Sequence, residues 1–376
     1  MKLTTPDYIQ RIAPYVPGKP LETLEREYGI RDSIKLASNE NPLGPSPMAL
    51  AAIQARLSAL HRYPDGAGHV LTRKIAERHK VSATNVVIGN GSDDIIALLV
   101  RALIRPGDRV IVPHPSFLMY AITAVAAGAV VDSVPLRNLT MDLDAMADRV
   151  TRETRLVFVC NPNNPTGTVV THPDFHRFMN RLPDNVVVVI DEAYIEFVRN
   201  TDCLRTGRAE DMDHPMVTLR TFSKAYGLAG LRVGYGIMPA ELADVLHRVR
   251  QPFNVNAVAQ AAAAAALDDQ AFLSRSIDLV HRGLDQLYAG LDRMGLTYHR
   301  TEANFFLIDV EQPADIVFED MLRQGVIVRS MRAYGFPDTI RINVGLEAEN
   351  RRFLQALAHV LGRSTPPSAV DGEHSG

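Results

Sequence analysis

From residue 86 to about 237, short runs of β-branched and other apolar residues alternate with stretches of helical character. The runs are "VVI" (86–88), "RVIVP" (109–113), "RLVFVCNP" (155–162), "VVVVIDEAY" (186–194), "MVTLRTF" (216–222) and "RVGYGI" (232–237). Strands that are apolar on both faces and separated by helices predict an α/β domain with a mainly parallel central sheet covered by helices. An alanine-rich helix is expected near 257–267 and a long one from about 271 to 294. Beyond it the pattern changes to "NFFLIDV", a helix near 313–324, "GVIVR", "TIRINVG" and a last helix near 347–362, which predicts a smaller α+β unit. The first 40 residues carry "YVPGKP" and "NENPLGPSP", and so many prolines predict an extended N-terminal arm that packs on something else, often a second subunit. The end, "RSTPPSAVDGEHSG", predicts disorder. The expected division is an arm (1–40), a large domain (41–267), a small C-terminal domain (268–362) and a disordered tail (363–376).

Composition narrows the function classes. A chain of 376 residues, 46% hydrophobic and 22% charged, can bury a large core. Its net charge of -3, with Lys and Arg spread along the chain, offers neither a basic stripe for nucleic acid nor a polybasic membrane patch. No stretch reaches 18 apolar residues and the start lacks a signal-like core, so a cytoplasmic protein is expected. Cys160 and Cys203 are expected to be packing residues in a reducing compartment.

The polar clusters all follow strands: Gly89–Asp94, Asn161–Gly167, Asp191–Tyr194 and Thr221–Lys224. In sheets of this kind ligands collect beyond the carboxyl ends of the strands. "VVIGNGSDDII" runs from a strand through two glycines into a helix starting at Ser92 or Asp93, a cup for phosphate with Ser92 able to cap the helix. It lacks the third glycine of a dinucleotide fingerprint and the Gly-Lys-Ser/Thr of a P-loop. In "TFSKAYGLAGLRVGY", Lys224 sits among the hydroxyls of Thr221 and Ser223, with Arg232 eight residues on. A lysine partly desolvated near a phosphate site can lose its proton near neutral pH and form a Schiff base. The cofactor that joins a phosphate to an aldehyde is pyridoxal 5'-phosphate.

Asp191, at the end of a buried strand, needs a cationic partner, and a pyridinium nitrogen would be one. Such a pair at about 4 Å contributes roughly 4 kcal/mol at an effective dielectric of 20, before desolvation is subtracted. Asp191 and Glu192 are a poor acid–base pair for hydrolysis, since adjacent strand residues face opposite ways. His172 and His176 are spaced for one helix face, yet "THPDFH" equally fits a helix start with Pro173 in its first turn, and no third metal ligand is evident. No metal is expected.

Taken in order, "YVPGKP", "KLASNENPLGPSP", "RYPDG", "GNGSDDII", "NPNNPTG", "DEAYIEF", "TFSKAYGLAGLRVGY", "PFNVN", "GVIVR" and "RINVGLEAENRRFL" resemble the fold-type I pyridoxal-phosphate aminotransferases, and among them the histidinol-phosphate aminotransferases. The resemblance spans about residues 8 to 360. It implies that Lys224 is covalently linked to the cofactor, that Asp191 pairs with the pyridine nitrogen, and that Asn164 and Tyr194 hold the 3'-oxygen. It implies a phosphate site of Ser92, the Asp93 backbone, Thr221, Ser223 and Arg232, with Tyr63 reaching across from a second subunit, and Phe117 against the ring. Arg341, Arg329 and the partner's Tyr15 would hold the substrate anion. Two departures stand out: Asp94 where glutamate is common, and Leu118 where a smaller residue is expected beside the ring-stacking position.

The implied reaction is transamination of L-histidinol phosphate with 2-oxoglutarate, giving imidazole acetol phosphate and glutamate in a homodimer with shared sites. An aromatic amino acid aminotransferase fits the same framework. A phosphothreonine decarboxylase fits it less well, and a cofactor-sensing regulator would need a DNA-binding module that the 40-residue arm does not supply.

Overall fold

The computed structural model describes residues 4–14 and 18–363. Its first strand, β1 (Ile34–Lys35), lies beside the smaller part of the molecule. The next seven are β2 (Val86–Gly89), β3 (Arg109–His114), β4 (Val130–Pro135), β5 (Thr154–Cys160), β6 (Val187–Asp191), β7 (Met216–Thr221) and β8 (Gly234–Ile237). They form one sheet in the order β2-β8-β7-β6-β5-β3-β4, in which β8 alone runs antiparallel to its neighbours.

Side-chain alternation along these strands builds a core on each face of the sheet. Val110, Val112, Leu156, Phe158 and Val189 pack on one side with Ile95, Leu98 and Leu99 of the helix Ser92–Leu103. Ile111, Val157, Val159, Val188 and Ile190 pack on the other with Phe175 and Phe178 of the helix His172–Met179. Burying a side chain such as Phe158 or Phe178, both fully enclosed, contributes roughly 1.5–3 kcal/mol.

Strand β4 was not legible in the sequence pattern. It is the edge of the sheet and buries little, so its "VVDSVP" carries no apolar run. Its Asp132 instead accepts two hydrogen bonds from Arg109, at 2.7 Å from Nε and 2.5 Å from Nη2.

The C-terminal part holds β9 (Tyr298–His299), β10 (Phe305–Asp309), β11 (Val326–Ile327), β12 (Arg329–Ser330) and β13 (Thr339–Asn343), with β12-β13-β10-β9 forming an antiparallel sheet. Helices Gln270–Met294, Ala314–Arg323 and Glu347–Val360 accompany it. The helix Ala257–Asp268, capped by the Asn256 side chain on the Ala259 N–H, packs its small residues against the helix Pro47–Arg56. One apolar cluster runs without a break from Leu71 and Ile88 through these alanines to Phe305, Ile342 and Phe353.

The proline-rich start is only partly the extended arm that the sequence predicts. Residues Leu21–Tyr28 form a helix, and β1 pairs in parallel with β11, Ile34 opposite Val326 and Lys35 opposite Ile327. Leu24 and Ala37 are buried against Leu322 and Ile327. Pro20 stands just ahead of the helix and leaves every later N–H of this segment able to bond, so the prolines delimit the elements rather than prevent them. The expected disordered tail lies beyond the described residues apart from Arg363. Among the described residues no helix is long and apolar enough to cross a membrane.

Candidate active site

At the carboxyl end of β2 the chain turns through Gly91, at φ 82°, into the helix Ser92–Leu103. Ser92 is the first helical residue and not the capping residue that the sequence predicts, because Gly91 occupies the cap position and brings no side chain. The first N–H groups of the helix are thus left for an outside acceptor. Asp94 pins the turn: its Oδ2 accepts from the Asn90 N–H at 3.0 Å and from Asn254 Nδ2 at 2.7 Å.

Opposite the helix start, Thr221 Oγ1 accepts from the Ser223 N–H at 3.1 Å, and Arg232 Nη1 donates to Ser223 Oγ at 3.3 Å. Arg232 Nη2 lies 3.7 Å from Asp93. The Arg232 backbone is left-handed at φ 56°, a strain on the order of 1 kcal/mol that turns the guanidinium back toward the cup. A Cβ at Gly91 would stand 2.6 Å from Arg232 Nη2, and one at Gly234 would stand 2.6 Å from the Ser92 nitrogen. Two hydroxyls on one side, a helix start and a guanidinium on the other, and glycines that let them converge suit a phosphate monoester.

Ser92, Asp93, Phe117, Asn164, Asp191, Tyr194, Thr221, Ser223, Lys224, Arg232, Arg329 and Arg341 all line one cavity of about 210 Å³. Tyr63 does not reach the cavity of its own chain: it is 84% exposed and stacks on Phe253 at 4.8 Å. Tyr15 lies outside the described residues.

Lys224 donates to the Ser38 carbonyl at 3.3 Å, and its ammonium lies 5.6 Å from the Tyr194 ring centre. Burial, reinforced by the charge of Arg341, pulls its pKa down to about 8. Asp191 is 4% exposed, and burial pushes its pKa up to about 6 against the stabilising bonds from Tyr120 Oη at 2.7 Å and the Ala193 N–H at 3.1 Å. Glu192 faces away, to Arg220 and Thr206.

Arg341 and Arg329 sit directly opposite each other on β13 and β12, which places both on the same face of the small sheet. Arg341 is 6% exposed, lies 5.1 Å from the Phe305 ring centre, and donates to Asn164 Oδ1 at 2.5 Å and to the Ala37 carbonyl at 3.2 Å. Accepting through Oδ1, Asn164 has its Nδ2 to offer a cofactor oxygen. Tyr194 is fixed by a 3.0 Å bond from Asn39 Nδ2 to its hydroxyl.

Sequence reasoning missed several cavity residues, Ser38, Asn39 and Tyr334 among them. Ser38 and Asn39 act through a backbone carbonyl and an amide, for which the residue types gave no signal. Tyr120, the partner of Asp191, stands in the first turn of the helix Met119–Ala126 and meets the Phe117 ring edge-on at 5.4 Å. Leu118, where a smaller residue was expected, packs against Leu307, Met331 and Tyr334. Pro173 does stand in the first turn of the helix His172–Met179, and His172 Nε2 accepts from the Arg205 N–H at 3.4 Å.

On a mainly parallel sheet, a desolvated lysine and a buried strand-end carboxylate between two anion subsites mark the aminotransferase class. The profile described as "Aminotransferase class I and II" matches residues 31–357. Similar proteins include the histidinol-phosphate aminotransferase of Desulfotalea psychrophila, 46% identical over 96% of each chain. Another is the histidinol-phosphate aminotransferase 2 of Pseudomonas aeruginosa, 49% identical over 94% of this chain and 96% of that one. The crystal structure of the Sinorhizobium meliloti histidinol-phosphate aminotransferase in complex with pyridoxal-5'-phosphate aligns with a TM-score of 0.86 at 28% identity, covering 95% of this chain and 97% of that one. The chain belongs to the class I and II aminotransferases and, within them, to the histidinol-phosphate aminotransferase group.

Proposed function

We propose that this aminotransferase binds pyridoxal 5'-phosphate and moves the amino group of L-histidinol phosphate to 2-oxoglutarate. The observation that carries the reading is that Lys224 and Asp191 face one cavity flanked by a phosphate cup and a pair of arginines. In this reading Ser92, the Asp93 N–H, Thr221, Ser223 and Arg232 hold the cofactor phosphate, Phe117 lies against the ring, Asn164 and Tyr194 hold its 3'-oxygen, and Asp191 pairs with its ring nitrogen. When bound, the cofactor supplies an aldehyde for the substrate amine and a protonated ring that draws electrons from the substrate's Cα.

Lys224, with its pKa near 8, has a substantial neutral fraction at the pH of the cytoplasm, and its Nζ takes the Cα proton and later returns it. Asp191, ionised above about pH 6, keeps the ring nitrogen protonated. Arg341 and Arg329 orient the far end of the substrate through guanidinium forks that accept phosphate or carboxylate oxygens, so one subsite serves both the phosphate ester and the dicarboxylate.

A homodimer is part of the same reading. Met48, Leu50, Leu57, Leu60, Tyr63 and Phe253 are exposed on the helix Pro47–Arg56 and the segments near it, a concentration of apolar surface that a second subunit would cover. Tyr63 would then reach the phosphate cup of the partner, and Tyr15 the substrate anion.

The test is the rate of the first half-reaction with L-histidinol phosphate, phenylalanine and tyrosine, followed through the cofactor absorption band. Histidinol phosphate is expected to react at least about a hundredfold faster. A hundredfold preference for phenylalanine would sink the substrate assignment and leave the aminotransferase intact. Lys224→Ala should lose the visible band of the lysine-bound cofactor and about 10³-fold or more in rate.

A further inference from the structure

A second depression, of about 510 Å³, opens on the other side of the sheet end. Thr221 turns toward the catalytic cavity, so its predecessor in β7, Arg220, turns the opposite way. Arg220 forms the floor. The walls carry Arg78 and Lys80, at the end of the helix His69–His79, and Arg205 and Arg208 from the segment leading into β7. One lining carboxylate answers them, Glu210, at 3.4 Å from Arg208.

The charges do not cancel. Arg220 is matched internally, with Nη2 2.5 Å from Glu192 and Nη1 3.7 Å from Glu196, although its buried Nε has no hydrogen-bond partner among the described residues. The Arg205 guanidinium donates to the main-chain carbonyls of Ile195 and Val198, both at 3.4 Å. Among the described residues Arg78, Lys80 and Arg205 take part in no ion pair. His79 adds a rigid polar wall without charge: its ring meets the Gly207 carbonyl at 3.1 Å and Tyr235 Oη at 3.0 Å, and burial pulls its pKa down to about 4.

Unmatched cations facing one concave surface repel each other and gain from an anion placed between them. We propose that this depression is a second anion site, separate from the catalytic cavity, for a small ligand carrying a phosphate or diphosphate group. Its volume suits a small molecule. Guanidinium groups on several sides fit the oxygens of a tetrahedral phosphate better than one planar carboxylate, which a single fork satisfies. A nucleic acid backbone would need a basic track, and here Glu210 interrupts the rim while the whole chain carries a net charge of -3.

The test is equilibrium dialysis of the holoenzyme against radiolabelled inorganic pyrophosphate, repeated for Arg329→Ala and for the double variant Arg78→Gln/Arg208→Gln. Both residues of the double variant are exposed, so the fold is expected to hold. Arg329→Ala removes pyrophosphate held by the catalytic arginines and should leave the site in this depression occupied, whereas the double variant should bind there about tenfold more weakly. If the double variant melts early, Lys80→Gln, also exposed, replaces it with an expected loss of about threefold. Loss of all pyrophosphate binding in Arg329→Ala, an unchanged double variant, or no binding at millimolar pyrophosphate each overturns the proposal. So does a short single-stranded oligonucleotide that displaces pyrophosphate and binds more tightly.

Discussion

The hydroxyl of Tyr120 donates to Asp191 at 2.7 Å from within a fully buried position, stacked on Phe158 at 4.5 Å. That bond favours the charged carboxylate and opposes the burial that raises its pKa to about 6. Tyr120→Phe removes a donor without changing the packing, so the Asp191 pKa should rise further. Cofactor affinity of the wild-type apoenzyme is expected to fall as pH drops through about 6, and in Tyr120→Phe the fall should begin at higher pH, with affinity at pH 7 about tenfold weaker. A fluorescence titration of the apoenzyme from pH 5 to 8 checks this; an unmoved midpoint would refute the role of the bond.

Lys224 has the opposite sign. Its folded pKa, about 8, is below the ordinary 10.5, so between those values the unfolded chain binds more protons and stability rises with pH. Below about 8 the cost of the buried ammonium is felt in full. Since part of the side chain still meets solvent, that cost is on the order of 2 kcal/mol. The Lys224→Met apoenzyme should therefore be more stable at pH 7 by that amount and lose the advantage toward pH 10.5, as urea denaturation would show.

Among the elements, the turn from β2 into the helix Ser92–Leu103 joins backbone geometry to chemistry most directly. Gly91→Ala meets two obstacles, a φ of 82° and a Cβ 2.6 Å from the Arg232 guanidinium. Gly107, at φ 93° with nothing within 4 Å of an added Cβ, meets the first alone. Both alanine variants should lose about 1 kcal/mol of stability, and Gly91→Ala alone should weaken cofactor binding, by about tenfold. Equal cofactor affinities would mean that the approach of Arg232 is not what Gly91 protects. The pattern of the buried strands was legible because each must be apolar on both faces. The edge strand β4 was hidden because it buries little on either face, Val134 alone being enclosed, and so can carry Asp132 and Ser133 without penalty.

At the scale of the whole molecule, the catalytic cavity draws on segments some 300 residues apart: Ser38 and Asn39 near the start, Lys224 in the middle and Arg341 near the end. The Asn39 N–H donates to Asn343 at 3.0 Å, which ties the early segment to β13. If the proposed dimer shares its sites, mixing Tyr63→Phe subunits with Lys224→Ala subunits creates one site with both native residues. Such hybrids should be more active than Lys224→Ala homodimers by far more than their Tyr63→Phe content explains. Inactive hybrids would mean that Tyr63 serves no partner site.

The sequence by itself determined the parallel sheet, the cluster at each strand end and the chemistry those clusters can perform, because strand periodicity and residue type are local properties. Tyr120 beside Asp191, Asn164 engaged by Arg341 and the burial of Leu24 and Ala37 against Leu322 and Ile327 were decided only by tertiary packing. Each depends on which distant segment fills the neighbouring space, and spacing along a chain does not record that.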